Sequence, residues 1–503
     1  MAAVIPLPTN SSESKGLLLW MDRVLKEREC VMSSPDEDSI HDLRVALRRC
    51  RSLASVFEEI DPHPAWHELR KSSRKLFRSL GVIRDSQVQE AWLLKLGTSD
   101  DPLRGQILYA LKADRDRQER DAKKSAAKFD QKNWAKLARA LRPRLKLIPP
   151  DSPAAQCLAL ERLEEAAELH RVALRTEKPK PWHALRIGIK HFRYTVESLL
   201  PRQHAQWSSD LKRVQDLLGD VHDLDVLLET ITGIAAESPA LEHWEETIAH
   251  ERAARIETYR QLTLGSTSLW NQWRLGLPTN GQVAEATQAR LLATARAADP
   301  NRAKSSATAR LARKLFRELK RANVSPIFKD EQLETIMQAA ALLHGIDPEN
   351  SGKHSNKDAH KFLAELPPPP GWTADQWQLL SLAVRYHRGA APSPERGRFA
   401  KLEPARQAKL LLLSGILRIA RAWRKTGPLS AARLRVESKS DSIQIFAEGF
   451  PQAQPPSNGL VVGKHLLEGA LGKIITIRAL EAVEPVLPLE FVPSELRSAA
   501  GAG

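Results

Sequence analysis

Two stretches of this chain carry the same spacing of charge, "HDLRVALRRCR" at 41–51 and "HALRIGIKHFR" at 183–193. His41, Arg44, Arg48 and Arg51 recur 142 positions on as His183, Arg186, Lys190 and Arg193. Steps of 3, 4 and 3 residues place each quartet on one face of a helix. Downstream, "LGVIRDSQV" (80–88) returns as "LGDVHDLDV" (218–226), which pairs Asp85 with Asp223. A repeat of this kind means one supersecondary unit used twice. Helical periodicity dominates from about residue 14 to 275 and strand-like alternation is absent there. Turns are expected at "DPHP" (61–64), "IPPDSP" (148–153) and "KPKP" (178–181). Each copy has a helix before the basic one and a helical segment after the aspartate motif. The expectation is two related four-helix bundles.

Like charges on one helix face repel by a few tenths of a kcal/mol per pair, at about one turn's separation. A solvated face normally mixes signs, yet in 41–51 only Asp42 is acidic and it lies off the quartet's face. Either nearby acids neutralise the stripe or an anionic ligand does. The whole chain, 503 residues with 76 Lys and Arg against 61 Asp and Glu, carries a formal charge of +15. That excess points to an acidic partner: nucleic acid, an anionic membrane surface or a phosphate polymer. Arg49 adjoins the first quartet, and the next helix of that copy adds Arg70, Lys71, Arg74, Lys75 and Arg78. The second copy is sparser there, with Lys212 and Arg213. Arginine's planar fork suits phosphate oxygens and lysine supplies a movable point charge. Asp85 and Asp223 are expected to orient these cations. Bound phosphate would draw His41 and His183 toward the cationic form and neighbouring arginines would oppose it. Phe192 and Tyr194 are expected in the core.

The three cysteines, Cys30, Cys50 and Cys157, lack ligand-like spacing, which favours a reducing compartment and disfavours structural zinc. The opening "MAAVIPLPTNSSESKG" has no basic segment followed by an apolar one, and no run approaches the roughly 20 apolar residues of a membrane span. A cytoplasmic protein without membrane partners is expected. Beyond "GLPTNGQ" an alanine-rich helix is expected, and helical pattern continues to about Lys425, interrupted by a rigid "LPPPPGW" loop (366–372). After Pro428, "ARLRVES", "SIQIFAE" and "IITIRAL" alternate as strands do, with helical "KHLLEGALG" between the last two.

The paired HxxR-x3-[RK]-x2-R helices and "LGDVHDLDVL" resemble the CHAD domain, the conserved-histidine α-helical domain, over roughly residues 12–275. That resemblance implies a pseudo-symmetric pair of four-helix bundles whose basic surface binds inorganic polyphosphate, with association to polyphosphate granules. The first copy departs from the pattern, having "IRDSQV" where a more acidic RDxDV is usual. Residues 300–485, with "AAALLHGID", "SGKHSNKDAHKFLAELPPPPGW" and "WQLLSLAVRYHRGAAP", resemble the C-terminal HD-like domain of exopolyphosphatases and guanosine pentaphosphate phosphohydrolases. HD hydrolases hold a divalent metal with histidines and an adjacent His-Asp pair. Here Gly345 follows His344, and Ser355 and Asn356 stand where the resemblance places paired histidines. His344, Asp347 and His354 are the residual metal candidates, with Asp358, His360 and His387 behind them. Neither a glycine-rich phosphate loop nor a Walker sequence is present. Arg385, His387, Arg388, Arg396 and Arg398 would suit an accessory polyphosphate surface.

The expected architecture is mainly α: duplicated four-helix bundles plus an HD-like helical domain with a small C-terminal α+β piece. Its boundaries are 12–275 (copies 12–147 and 153–275), a linker at 276–299, 300–428, 429–485 and a tail at 486–503. The function expected is non-catalytic polyphosphate binding with no cofactor. The alternatives are a metal-dependent HD-type phosphohydrolase acting on polyphosphate or a guanosine polyphosphate, and an RNA-binding protein. Aromatics make up only 5% of the chain and do not interleave with the basic repeats, which disfavours base stacking.

Overall fold

The computed structural model describes residues 15–34, 36–348, 356–393, 395, 397–426, 433–448 and 457–480. It is mainly helical with one small sheet, as the sequence pattern predicts. Two compact units are present, Met1–Ser306 with Thr335–Ala390, and Ala307–Glu334 with Ala391–Gly503. Among the described residues no helix is long and apolar enough to cross a membrane.

The first copy begins with α1 (Lys15–Ser33), α2 (Glu37–Glu58), α3 (Pro64–Ser72), α4 (Arg74–Leu96) and α5 (Pro102–Ala113). It continues through α6 (Arg115–Ala127) and α7 (Gln131–Leu141). The second copy contains α8 (Pro153–Ala173), α9 (Pro179–Leu199), α10 (Pro201–Ala235), α11 (Leu241–Thr263) and α12 (Leu269–Leu275). Proline opens α3, α5, α8, α9 and α10, where its missing N–H costs nothing and its fixed φ suits the first turn. Asp36 caps α2 by accepting from the Ser39 N–H (2.7 Å).

The four-helix plan is elaborated in the first copy. Its counterpart of the 35-residue α10 is broken into α3 and α4 at Ser73. In the repeat alignment Ser73 answers to Leu211, which packs in the core. The fully buried Ser73 instead donates its hydroxyl to the Leu69 carbonyl (2.8 Å), and that polar side chain marks the break. Helix α6 then packs on α1 and α4, and α7 on α3.

Two hydrophobic cores hold these helices. The larger gathers Leu43, Leu47, Leu80, Leu185, Ile189, Phe192 and Leu218, among others. The smaller gathers Trp92 and Leu93 at the end of α4, Ile107 of α5, Leu224 and Leu227 of α10 and Trp244 of α11. Along α4 the change of core falls between Ile83 and Trp92, and along α10 between Val221 and Leu224. Asp85 and Asp223 stand at these two changes of core, so the polar residues of the repeated motif lie between two apolar anchors.

Next come α13 (Gly281–Ala298), α14 (Arg302–Arg321), α15 (Glu331–Leu343), α16 (Asn356–Glu365) and α17 (Ala374–Tyr386). Helix α13 lies along α8, where buried Arg290 pairs with Glu161 (2.7 Å). The "LPPPPGW" loop is fixed by the Thr287 hydroxyl donating to the Pro370 carbonyl (2.8 Å).

The second unit contains α18 (Gly397–Ala400), α19 (Pro404–Thr426) and α20 (Asn458–Leu471). Its strands are β1 (Leu434–Ser438), β2 (Ser442–Ala447) and β3 (Ile474–Ala479). Strand β2 pairs antiparallel with β1 and parallel with β3, the latter connection passing through α20. Gly415 and Gly463 allow α19 and α20 to cross closely, since a Cβ on Gly415 would stand 2.9 Å from the Gly463 carbonyl.

Candidate functional site

Helix α2 buries Leu43, Ala46, Leu47, Cys50 and Ala54 on one side, which leaves Arg44, Arg48 and Arg51 half-buried on another. Helix α9 does the same with Leu185, Ile189 and Phe192 against Arg186 and Lys190. The two helices meet, and the meeting brings the repeated charges together. Burial pushes the Lys190 ammonium down to about 8, with Arg186, Arg48, Arg44 and Arg51 all pressing in the same direction. Neither Arg48 nor Lys190 has a carboxylate partner among the described residues. Arg48 Nε is buried with no hydrogen-bond acceptor.

The aspartates of the downstream motif stand beside this cluster. Burial raises Asp85, against the pull of Arg44, Arg186 and Arg84. Burial raises Asp223 to about 6, opposed by Arg186 while Asp220 and Asp85 reinforce the rise. Asp85 therefore faces the first arginine of both repeats and Asp223 that of the second, and the two carboxylates repel one another. No hydrogen bond joins either carboxylate to these arginines, and the interaction between them is one of charge alone.

Arg44 crosses toward α4, where it donates to the Phe77 carbonyl (3.2 Å) and lies 4.8 Å from the Phe77 ring centroid. Gly81 makes room for it: a Cβ there would be 2.8 Å from Arg44 Nη1. Its counterpart Gly219 has nothing within 4 Å. Arg51 donates to the Arg70 carbonyl and to Ser73 Oγ (3.2 Å), closing the helix break described above. Arg74 and Arg78 lie near enough to Arg51 to depress it after burial and Arg70, and both are exposed, as are Lys71 and Lys75.

The repeated histidines sit at the outer end of the stripes. His41 is held below its ordinary value by partial desolvation, Arg84 and Arg48. His183 Nδ1 lies 3.1 Å from His222 Nδ1, and burial, Arg186 and His183 bring His222 down to about 4. Arg84 and His222 occupy equivalent places one residue before the motif aspartates. The alignment of the copies contains that signal, although neither residue was among the sequence candidates.

Other expected residues face elsewhere. Arg49 pairs with Glu197 of α9 and lies over the rings of Trp20 and Tyr194. Lys212 pairs with Asp216 (2.9 Å), one turn along α10, and Arg213 is exposed beside it. Arg193 is grouped with Arg49 and Glu197 around His204, not with the cations around Lys190. Phe192 and Tyr194 are buried, as expected.

A pocket of about 180 Å³ opens at one end of the α2–α9 seam. Arg48 and Arg51 of α2, Arg70 of α3, Arg162 of α8 and Lys190 and His191 of α9 line it. Phe77, Val56 and Tyr194 form its apolar walls. Arg162 and His191 reach the pocket through tertiary packing, for which the repeat spacing carries no signal.

Among residues 299–390, His344 and His387 are buried with ring centroids 5.3 Å apart. Their Nδ1 atoms donate to the Ala341 (2.8 Å) and Val384 (2.6 Å) carbonyls. Asp347 is buried and its charge acts on Arg388, while Arg385 lies over the Tyr386 ring. Gly345 has no room for a side chain, because a Cβ would overlap Ser305 Oγ and stand 2.7 Å from Asp299 Oδ2. Asn356 donates to the carbonyls of Arg385 and Arg388 (3.1 Å), so it fastens the end of α17. Among the described residues no three His, Cys, Asp or Glu side chains are arranged to hold a metal ion. His354, Ser355 and Arg396 lie outside the described residues.

The family model of the CHAD domain matches residues 17–232, which span the two basic helices and both aspartate motifs. No curated protein matches the chain. The match does not extend over residues 300–485.

Proposed function

We propose that this chain binds inorganic polyphosphate without hydrolysing it, the polymer lying along the seam where α2 and α9 meet. One observation carries the reading: Lys190 is held among Arg44, Arg48, Arg51 and Arg186, and neither it nor Arg48 has a carboxylate partner among the described residues. Such a cluster repels itself in a half-buried setting where screening is weak. A polyanion that supplies about one charge per unit relieves the repulsion across the whole seam, which no single buried carboxylate could do. Both copies then contribute to one site, in accord with what the CHAD resemblance implies.

Affinity in this reading is multivalent and falls steeply with salt as condensed counterions are released. The test is titration with long-chain polyphosphate, with RNA as competitor and phosphate release followed in parallel. Salt-sensitive binding that RNA displaces poorly, without release of phosphate, is the expected result. Equal displacement by RNA would point to a general polyanion site. Phosphate release in the presence of a divalent metal would restore the hydrolase reading.

A further inference from the structure

The pocket at the end of the seam differs from the seam itself in its surroundings. Five helices wall it, α2, α3, α4, α8 and α9, and the apolar side chains of Val56, Phe77 and Tyr194 close part of it. Its volume of about 180 Å³ suits a few phosphate units and not a length of polymer. On the seam side its cations are Arg48 and Lys190, which have no carboxylate partners among the described residues. On the far side its cations are already taken. Arg70 is paired with Glu58, and Arg162 is paired with both Glu59 and Glu165 (2.5 Å).

A polyanion entering from the seam therefore meets unpaired cations first and then cations already neutralised by Glu58, Glu59 and Glu165. An internal unit needs an exit on both sides, and the exit here would carry the chain past Glu58, Glu59 and Glu165. A terminal phosphate needs no exit. It also carries a second ionisable oxygen, so its larger charge gains more from donors converging on it from several sides.

We infer that this pocket receives the terminal phosphate of a polyphosphate chain, so that the polymer is bound from one end and runs outward along the α2–α9 seam. The inference rests on the polyphosphate reading above and adds a polarity to it. His191, beside Arg162 and Lys190, is positioned to hydrogen-bond the end group, and the Ser55 side chain lies on the pocket wall.

The test compares short polyphosphate chains of one length with the same chains whose two ends are blocked as phosphoramidates by a small amine. The full chain is titrated with both, and pyrophosphate serves as a separate ligand. Blocking is expected to weaken binding about tenfold, beyond the loss of two charges mimicked by raising the salt. Ser55→Leu, which fills the pocket without removing charge, is expected to bind free and blocked chains alike, at the level the native protein shows for blocked ones. His191→Ala is expected to reduce the preference for free ends. Tight and equal binding of free and blocked chains to the native protein would overturn the end-capture inference and leave the polyphosphate reading intact. Binding of neither would overturn both. Tighter binding of pyrophosphate than of the free-ended chain would assign the pocket to a free pyrophosphate and not to a polymer end.

Discussion

The two copies share the spacing of their charges but not the fate of those charges. In the first copy, Arg44 reaches over Gly81 to α4, and exposed Arg74 and Arg78 extend the basic surface past Arg51. In the second, the position equivalent to Arg78 is Asp216, which neutralises Lys212, the equivalent of Arg74. Asp220 and Asp225 of α10 are paired with Arg255 (3.4 Å) and Arg252 (2.7 Å) of α11. Their first-copy equivalents are Val82 and Gln87. Duplication therefore fixed where the basic helices meet, while substitutions on the neighbouring helix decide on which side the positive surface continues. A repeat predicts geometry well and predicts net charge poorly, because charge depends on which partner packs beside each residue.

If that difference directs the polymer, the flanks answer unequally to mutation. Arg74→Ala with Arg78→Ala is expected to weaken long-chain binding about tenfold and to lower the salt slope by roughly two. Lys212→Ala with Arg213→Ala is expected to change affinity less than about twofold, since Lys212 is already paired at the surface. Equal losses in the two variants, measured by titration across a salt series, would remove the asymmetry.

A smaller effect separates the acidic pair from the cations around it. Asp223 titrates near about 6, whereas burial and neighbouring arginines hold His183 and His222 down. As pH falls through that value, Asp223 loses its charge and leaves Arg186 and Arg84 to the ligand. Affinity is expected to rise about threefold between about pH 7.5 and about pH 5.5, and Asp223→Asn is expected to remove most of that rise. Above about 8, loss of charge on Lys190 acts in the same sense and weakens binding further. The stability of the unliganded protein has the same sign. Its folded-state value lies above the ordinary 3.8, so this group's contribution is fully present below 3.8 and is lost as pH rises through about 6. Binding isotherms and thermal melts over pH check the two halves of this statement separately.

The smallest expected effect is the sharpest comparison of equivalent positions. Gly81→Ala places a methyl group against Arg44 and is expected to weaken binding two- to threefold by displacing that side chain, about 0.5 kcal/mol. Gly219→Ala meets open space in the middle of α10 and is expected to leave binding unchanged while stabilising the helix by about 0.5–1 kcal/mol. Isothermal titration and chemical denaturation of the two variants measure both quantities.

Much of this was legible in the sequence because helical periodicity and a repeat act locally. The basic faces of α2 and α9, the pairing of Asp85 with Asp223, the proline-initiated helices and the three C-terminal strands all follow from spacing and turn chemistry. Contacts set by the packing of distant helices were not legible. Arg49 looks like one more cation of the stripe until α9 brings Glu197 beside it. Arg162 gives no sign in α8 that it will reach a pocket on α2. His387, a candidate for a phosphate surface, is buried beside His344 just past the C-terminal end of α17, where its ring turns back to the Val384 carbonyl. The break at Ser73 depends on a buried hydroxyl and on Arg51 from another helix, which no local rule weighs.

The central claim is that one site is assembled from both copies, and the most direct measurement is the salt dependence of long-chain polyphosphate binding. Native protein is compared with a variant in which Arg44, Arg48, Arg186 and Lys190 are all alanine, after circular dichroism and thermal melting have shown that the variant is folded. The account predicts a loss of at least about 100-fold at low salt and a slope of log affinity against log salt shallower by roughly three. Binding by the folded variant with unchanged affinity and slope would contradict it.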